Sequence, residues 1–276
     1  MLRGFYTATA GMLAQQRRTE MLSNNLANAN TPGYKSDQAA MKAFPEMLLK
    51  RVEADKVPVQ NGQNFGTAST VGSLNTGVYL QEMIPQFTQG DLRETGLSSD
   101  LALVEEIIPV NGETNTKGML LFTVQTPNDG LRYTRNGQFT RNENGQLTLA
   151  GNPVLGTNGQ PITVASDQFE VTPDGTVRVD GIAQAQIEIV FANDTRTLIK
   201  EGNGLFRAED GLPSAVDNPE ISYQLKQGFV EGSNVDVSKT YTEMMTAYRA
   251  FEANQKVLQA YDRSMDKAVN EIGRLR

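Results

Sequence analysis

Between Asn234 and Arg276 large apolar side chains return every seven residues, at Met244, Phe251, Leu258, Met265 and Ile272. That spacing keeps one seam of a helix turned toward a partner helix, so a long terminal helix with something lying along it is the strongest constraint on the fold. The neighbouring column, Tyr248, Gln255, Asp262 and Val269, is half polar, which leaves the seam too narrow in its middle for a self-sufficient coiled coil. The expected cover is at the other end of the chain. Residues 2–29 read as a second helix, with Phe5, Met12 and Leu26 on one seven-residue column interrupted by Thr19, and Met1, Ala8, Leu22 and Ala29 on another interrupted by Gln15. At ~1.5 Å rise per residue the two helices would be about 40 and about 50 Å long, able to run side by side for most of their length. Ala10, Gly11 and Ala14, with Ala247, Ala250 and Ala253, either admit a further helix closely or are helix-favouring residues on a wet face.

Composition excludes more than it suggests. The chain has 276 residues, 38% of them apolar, enough for one large domain or two ordinary ones. It contains neither cysteine nor histidine, which removes Cys or His nucleophile–base pairs, the commonest zinc and haem ligands, and any disulfide. No catalytic, cofactor-binding or metal-binding residues are therefore expected. A formal charge of −7 argues against nucleic acid as a partner, because phosphate affinity comes from Lys and Arg. No stretch approaches the ~20 apolar residues of a membrane span. Arg3 followed by Phe5 to Ala14 faintly imitates a signal peptide, but Thr7, Thr9 and Gly11 interrupt it and Gln15-Gln16-Arg17-Arg18 follow at once. The segment reads as mature helix, and export would use a route that does not cleave it.

The first helix should stop in the run Asn24-Asn25-Leu26-Ala27-Asn28-Ala29-Asn30-Thr31-Pro32-Gly33-Tyr34. Asparagine costs roughly 0.6 kcal/mol in a helix relative to alanine, so this cluster needs another use for its amides, such as bonding backbone groups or neighbouring chains. Pro32 pushes Thr31 out of the helical region, and Pro32-Gly33 suits the centre of a type II turn. Residues 35–88 read as an arm: an amphipathic stretch over Met41 to Val52 with Met41, Phe44, Met47 and Leu48, then Val57 to Gly77, rich in Gly, Asn, Gln, Ser and Thr, as extended arm or loop. From Gln89 to Ile221 the signals are those of β-structure. Leu120 to Thr126 is a β-prone run, and Leu131 to Thr140 alternates on either side of Asn136-Gly137. Asn144-Gly145 precedes Leu147-Thr148-Leu149, Pro173-Asp174-Gly175 joins Val171 to Val177-Arg178-Val179, and Ile187, Ile189 and Phe191 share a face. Glu105-Glu106 is the densest carboxylate pair there; on a strand the two would face opposite sides and could not converge on one substrate atom, and a solvated loop is expected instead.

The run Leu22 to Lys35 resembles the N-terminal signature of the bacterial flagellar axial proteins, the rod, hook and hook-associated family. The block Gly228-Phe229-Val230-Glu231-Gly232-Ser233-Asn234-Val235-Asp236-Val237-Ser238, continued by Tyr248 to Asn254, is similar to that family's C-terminal signature. Gln89 to Gly96 and Thr123 to Gly137 resemble the distal-rod branch in particular, while Val104 to Leu120 departs from it. The resemblance implies an α+β subunit: long N- and C-terminal helices paired as a coiled coil, with an antiparallel all-β domain inserted between them. Its parts would be a helix and signature turn (1–34), an extended arm (35–88), an outer β-domain (89–225) and the C-terminal signature with its helix (226–276). It further implies a structural subunit of the flagellar basal body, polymerising with copies of itself and with other rod and hook subunits after passage through the flagellar type III export apparatus. In the arm it implies an intersubunit contact. Read without the resemblance, the chain admits a second class of function: a secreted glycan-binding or carbohydrate-active β-module on an oligomerising helical stalk.

Overall fold

The N-terminal pattern folds into a single helix, α1, Leu2–Ala27, and the C-terminal pattern into α2, Val237–Lys267, which widens into a π-helical turn over Ala268–Ile272. The computed structural model describes residues 2–52, 68–112, 116–127, 130–166, 168–216 and 218–272. Met1, residues 53–67 of the expected arm, residues 113–115 of the departing segment and the side chain of Ile272 lie outside the described residues. The chain is α+β, with its sheets between the two helices in sequence. It divides into two compact units.

The first unit comprises Met1–Asn24, Gln38–Ile84 and Ser238–Arg276. Besides the helices its described residues form four strands, β1 (Asp37–Ala43), β2 (Met47–Val52), β3 (Ala68–Leu74) and β4 (Val78–Pro85). β1 pairs with β4, and β2 with β3 in antiparallel register from Met47↔Leu74 to Val52↔Ala68. Of the stretch expected as extended arm or loop over Val57 to Gly77, residues 68–74 are strand and not loop. Their small and β-branched residues, Thr70 and Val71 among them, cost little to extend once the Met47–Val52 backbone is alongside to accept and donate. The amphipathic stretch before it is likewise strand. Phe44 N donates to Gly77 O at 3.0 Å, and the Phe44 and Tyr79 rings lie 5.0 Å apart. Little is buried: Met21, Leu22 and Ala247 form the only buried cluster among the described residues of this unit, while Met47, Leu48, Leu49 and Val71 are exposed.

The second unit, Asn25–Asp37 with Pro85–Val237, is built around β-structure. Its largest sheet has the antiparallel order Ile189–Ala192, Met119–Gln125, Leu131–Thr134, Leu205–Arg207, Ile199–Lys200. The interior strand Met119–Gln125 is buried on both faces. Leu120, Phe122 and Val124 enter one core with Leu101, Phe139, Leu147, Val177, Ile187 and Ile189, and Met119 and Leu121 enter another with Tyr133, Val190 and Phe206. Ile189 and Phe191 do share a face in the larger core, but Val190 is buried too, so that strand is covered on both sides. Hairpins form at Asn144-Gly145 and at Pro173-Asp174-Gly175, where Gly145 and Gly175 take φ of 77° and 89°. Asn136-Gly137 is different. Leu131–Thr134 pairs within the five-stranded sheet and Thr140–Arg141 pairs with Leu147–Leu149, so the glycine marks a crossing between sheets. A Cβ at Gly137 would overlap the Leu101 carbonyl, and close backbone approach, not hairpin geometry, explains it.

Candidate functional site

The asparagine-rich helix end is held by its own amides. Asn25, buried, donates from Nδ2 to Asp37 O at 2.8 Å, while its Oδ1 accepts from Asp37 N at 2.9 Å and from the Tyr34 hydroxyl at 3.1 Å. Burial, with Asp37 nearby, pushes the Tyr34 hydroxyl well above its ordinary value, which suits a permanent donor. The expected turn forms: Tyr34 N donates to Thr31 O at 3.3 Å and Gly33 has φ of 68°. A Cβ at Gly33 would also lie 2.5 Å from Asn136 N. Asn28 closes the same turn, accepting from the Thr31 hydroxyl at 3.2 Å. Asn24 and Asn30 are exposed and Pro32 is half-buried.

Glu231 is the residue at which both signature blocks meet, and nothing in the motif spacing singled it out. Gly33 N donates to Glu231 O at 2.8 Å. Its carboxylate receives Lys35 Nζ at 2.6 Å on Oε1 and Arg135 Nε at 2.5 Å on Oε2, and all three side chains are 1% exposed. Arg135 also reaches Glu105 at 3.0 Å, Leu120 O at 2.7 Å and Leu103 O at 2.8 Å, so each nitrogen of its guanidinium has a partner. Lys35 Nζ is completed by Thr88 O at 2.7 Å, and Gly90 N adds a third donor to Glu231 at 3.0 Å. Burial pushes the Lys35 ammonium below its ordinary value against the attraction of Glu231. For Glu231 burial works upward, but the Arg135 guanidinium and the Lys35 ammonium outweigh it and hold the carboxyl below its usual range. Asn234 adds a neutral tie, accepting from Ser36 N at 2.7 Å and donating to Gln86 O at 2.7 Å. Gly232 N donates to Asp91 O at 2.7 Å and Ser233 Oγ accepts from Val235 N at 3.3 Å; Val235 is half-buried and Asp236 exposed. Glu105 overturns the expected solvated loop: it lies on the strand Leu101–Ile107, and its side chain is buried against Arg135 whereas that of Glu106 is exposed and meets Ser222. Charged residues inside an otherwise turn-forming motif were the available signal for this cluster.

In the first unit the helices touch in antiparallel order. A Cβ at Gly4 would overlap the Tyr261 hydroxyl, one at Gly11 would lie 3.0 Å from Asn254 Nδ2, Arg18 pairs with Glu243 at 3.2 Å, and Met21 and Leu22 pack with Met244 and Ala247. The column Met244, Phe251, Leu258 is half-buried, and Met265 is exposed. Its companion is not the one expected. Tyr248, Gln255, Asp262 and Val269 all face solvent, Tyr248 at 56% and Val269 at 71%; the covered column is Thr240, Ala247, Asn254 and Tyr261, also seven apart. Glycines at 4 and 11 let Tyr261 and Asn254 approach α1, so Gly11 and Ala247 serve this pair, whereas Ala10 lines a separate groove beside β4. On α1, Leu22 is buried and Phe5, Met12 and Leu26 are half-buried.

Among the described residues no three carboxylates gather as a metal site would require, and no helix is long and apolar enough to cross a membrane. A cleft of about 510 Å³ in the second unit is lined by Thr123, Gln125, Tyr133, Gln186 and one carboxylate, Glu188, where glycoside hydrolysis uses two.

Comparison with known proteins gives a consistent picture from end to end. Residues 5–35 match the family "Flagella basal body rod protein", residues 116–179 the "Flagellar hook protein FlgE/F/G D1 domain", and residues 226–271 the "Flagellar basal body rod FlgEFG protein C-terminal". The chain is 55% identical to the flagellar hook-basal body complex protein FlhO of Bacillus subtilis (strain 168), over the whole of both chains. It is 31% identical to the flagellar basal-body rod protein FlgF of Caulobacter vibrioides, again over both whole chains, and 30% identical to FlgG of Bacillus subtilis, over 98% of this chain and 99% of that one.

Proposed function

Since the chain belongs to the flagellar basal-body rod and hook family, whose members are structural, we propose that it is a subunit of the distal rod, polymerising helically through its terminal helices after export by the flagellar type III apparatus. The observation that carries this most directly is the antiparallel contact of α1 and α2 through Gly4, Gly11 and Ala247, which brings the two ends of the chain into one slender element poor in buried side chains of its own. In this proposal the pair is a coiled coil, and Phe5, Met12, Leu22, Leu26, Met244, Phe251, Leu258, Met265 and Ile272 form its assembly seam. The signature residues around Asn25, Gly33, Tyr34 and Asn234 act differently, tying the turn after α1 to the block around Glu231 and Asn234 within the β-rich unit. The division into 1–34, 35–88, 89–225 and 226–276 is carried forward as one of roles: seam, arm, outer body, seam. Placement in the rod is supported by the relatives named basal-body rod proteins, FlgF and FlgG, and its distal part by the similarity of Gln89 to Gly96 and Thr123 to Gly137 to that branch.

The test is location. A tagged copy should co-purify with isolated basal bodies and be seen by electron microscopy between the proximal rod and the hook. A tag found in the hook, or in soluble protein alone, would contradict the distal-rod assignment.

A further inference from the structure

In the β-rich unit the strands Met119–Gln125 and Ile189–Ala192 pair from Met119↔Ala192 to Phe122↔Ile189, and there the ladder opens. Leu155 enters between them, its N donating to Thr123 O and its O accepting from Glu188 N, both at 3.0 Å. Thr123 and Glu188 therefore stand on either side of an inserted backbone, and both line the cleft of about 510 Å³. That volume falls within the roughly 300–1,000 Å³ of small-molecule sites.

Thr123 is 3% exposed, and its Oγ1 has no hydrogen-bond partner among the described residues. An enclosed hydroxyl left unbonded costs stability, and a ligand that bonds it removes that cost. Tyr133, directly opposite Thr123 on the neighbouring strand, accepts from Leu212 N at 3.2 Å, which fixes its hydroxyl and leaves the proton to donate. Gln125 and Glu188, both half-buried, add a carboxamide and a carboxylate.

No Lys or Arg is among the described residues lining the cleft, so an anion finds no counter-charge there. Hydroxyls and carboxamides both donate and accept, and a carboxylate accepts from two hydroxyls at once. Between these groups Leu131, Leu155, Val190 and Val216 supply apolar walls. A ring with hydroxyls along its edges and C–H groups on its faces answers both sets together. We propose that the cleft binds a neutral saccharide unit, with Thr123, Tyr133 and Glu188 as its hydroxyl partners. A single carboxylate holds the sugar without the second group that cleavage needs. The cleft lies wholly in the β-rich unit, so this binding goes beyond the rod assignment and does not rest on it.

Saturation-transfer NMR on the purified full-length chain, with glucose, N-acetylglucosamine and its disaccharide chitobiose as probes, tests the proposal. Binding of at least one probe at millimolar concentration is expected. Thr123→Val keeps the side chain's shape and should weaken that binding about threefold to tenfold, the weight of one hydrogen bond. It should not lower the melting temperature, because the hydroxyl it removes has no partner in the chain. Glu188→Gln should weaken binding by about tenfold or more, since hydrogen bonds to charged groups are stronger, whereas Glu143→Gln at an exposed turn leaves it unchanged. Should a variant fail to fold, amide shifts of the unsubstituted chain on titration with the bound probe decide the matter, and they should cluster at Gly156, Thr157 and Glu188. No binding by any probe overturns the proposal, as does binding that survives both substitutions or shifts that cluster elsewhere. Binding of the diamine putrescine but of no sugar would mean that Glu188 selects a cation, and overturns the saccharide assignment.

Discussion

The two units spend their apolar residues in opposite ways. In the β-rich unit, Phe122, Leu120, Val177 and Ile189 are wholly enclosed, and even its charges are buried against one another at Lys35, Glu231, Arg135 and Glu105. In the helical unit Tyr6, Leu13, Leu48, Val71, Met83 and Tyr248 stand in solvent. Ordering a residue's backbone costs ~1–2 kcal/mol and burying a large apolar side chain returns only ~1.5–3, so the enclosed unit can stand alone and the open one needs neighbours. Solitary exposed hydrophobes are ordinary; stripes of them beside a groove mark surfaces that other chains cover.

The comparison breaks first at the buried charge cluster. Arg135→Ala removes one of the two cations on the buried Glu231 carboxylate and the buried partner of Glu105, and breaking a buried pair from one side costs about 3–5 kcal/mol; denaturant unfolding followed by a probe in the β-rich unit should show that loss. A smaller effect is expected in acid. Glu231 is held below its unfolded value of 4.5, so its contribution is complete above that value and disappears as pH falls from there through the depressed folded value. Glu231→Gln should flatten this acid limb, and a limb of unchanged steepness would mean other carboxylates set it.

Next comes the signature turn. Gly33→Ala places a Cβ at positive φ, a strain of about 1–3 kcal/mol before the approach to Asn136 N is counted, so its melting loss should exceed that of a solvent-facing control such as Glu143→Ala. The smallest effect on stability belongs to the helices. Phe251→Asp should shift unfolding of the β-rich unit by no more than about 0.5 kcal/mol yet abolish assembly and swimming, since a carboxylate at a covered helix seam has no partner.

How much of this was legible in the sequence differs between the units for a physical reason. The helices announced themselves through seven-residue spacing, and the turn at Pro32-Gly33 through backbone chemistry that few residues satisfy. Hairpins with glycine at positive φ were equally plain at Gly145 and Gly175. Gly137 misled because an Asn-Gly pair can mark a close approach between sheets as well as a hairpin. The companion column of the seam misled because glycine on one helix allowed Asn254 and Tyr261 to be the covered residues on the other, a choice no single-helix pattern reveals. Lys35, Arg135 and Glu231 could not be paired in advance, since each is an ordinary surface residue until the sheets bring them together. Residues 68–74, within the stretch expected as extended arm or loop, take their strand character from the partner at Met47–Val52.

The central claim is that the β-rich unit is complete in itself and the helical one is completed by assembly. Hydrogen exchange on full-length protein verified as a monomer tests it directly. Amides of Met119–Gln125, Leu131–Thr134 and Ile189–Ala192 should exchange only through global unfolding, while those of residues 3–23 and 239–267 exchange orders of magnitude faster. Equal, strong protection of both helices in the monomer would contradict the account.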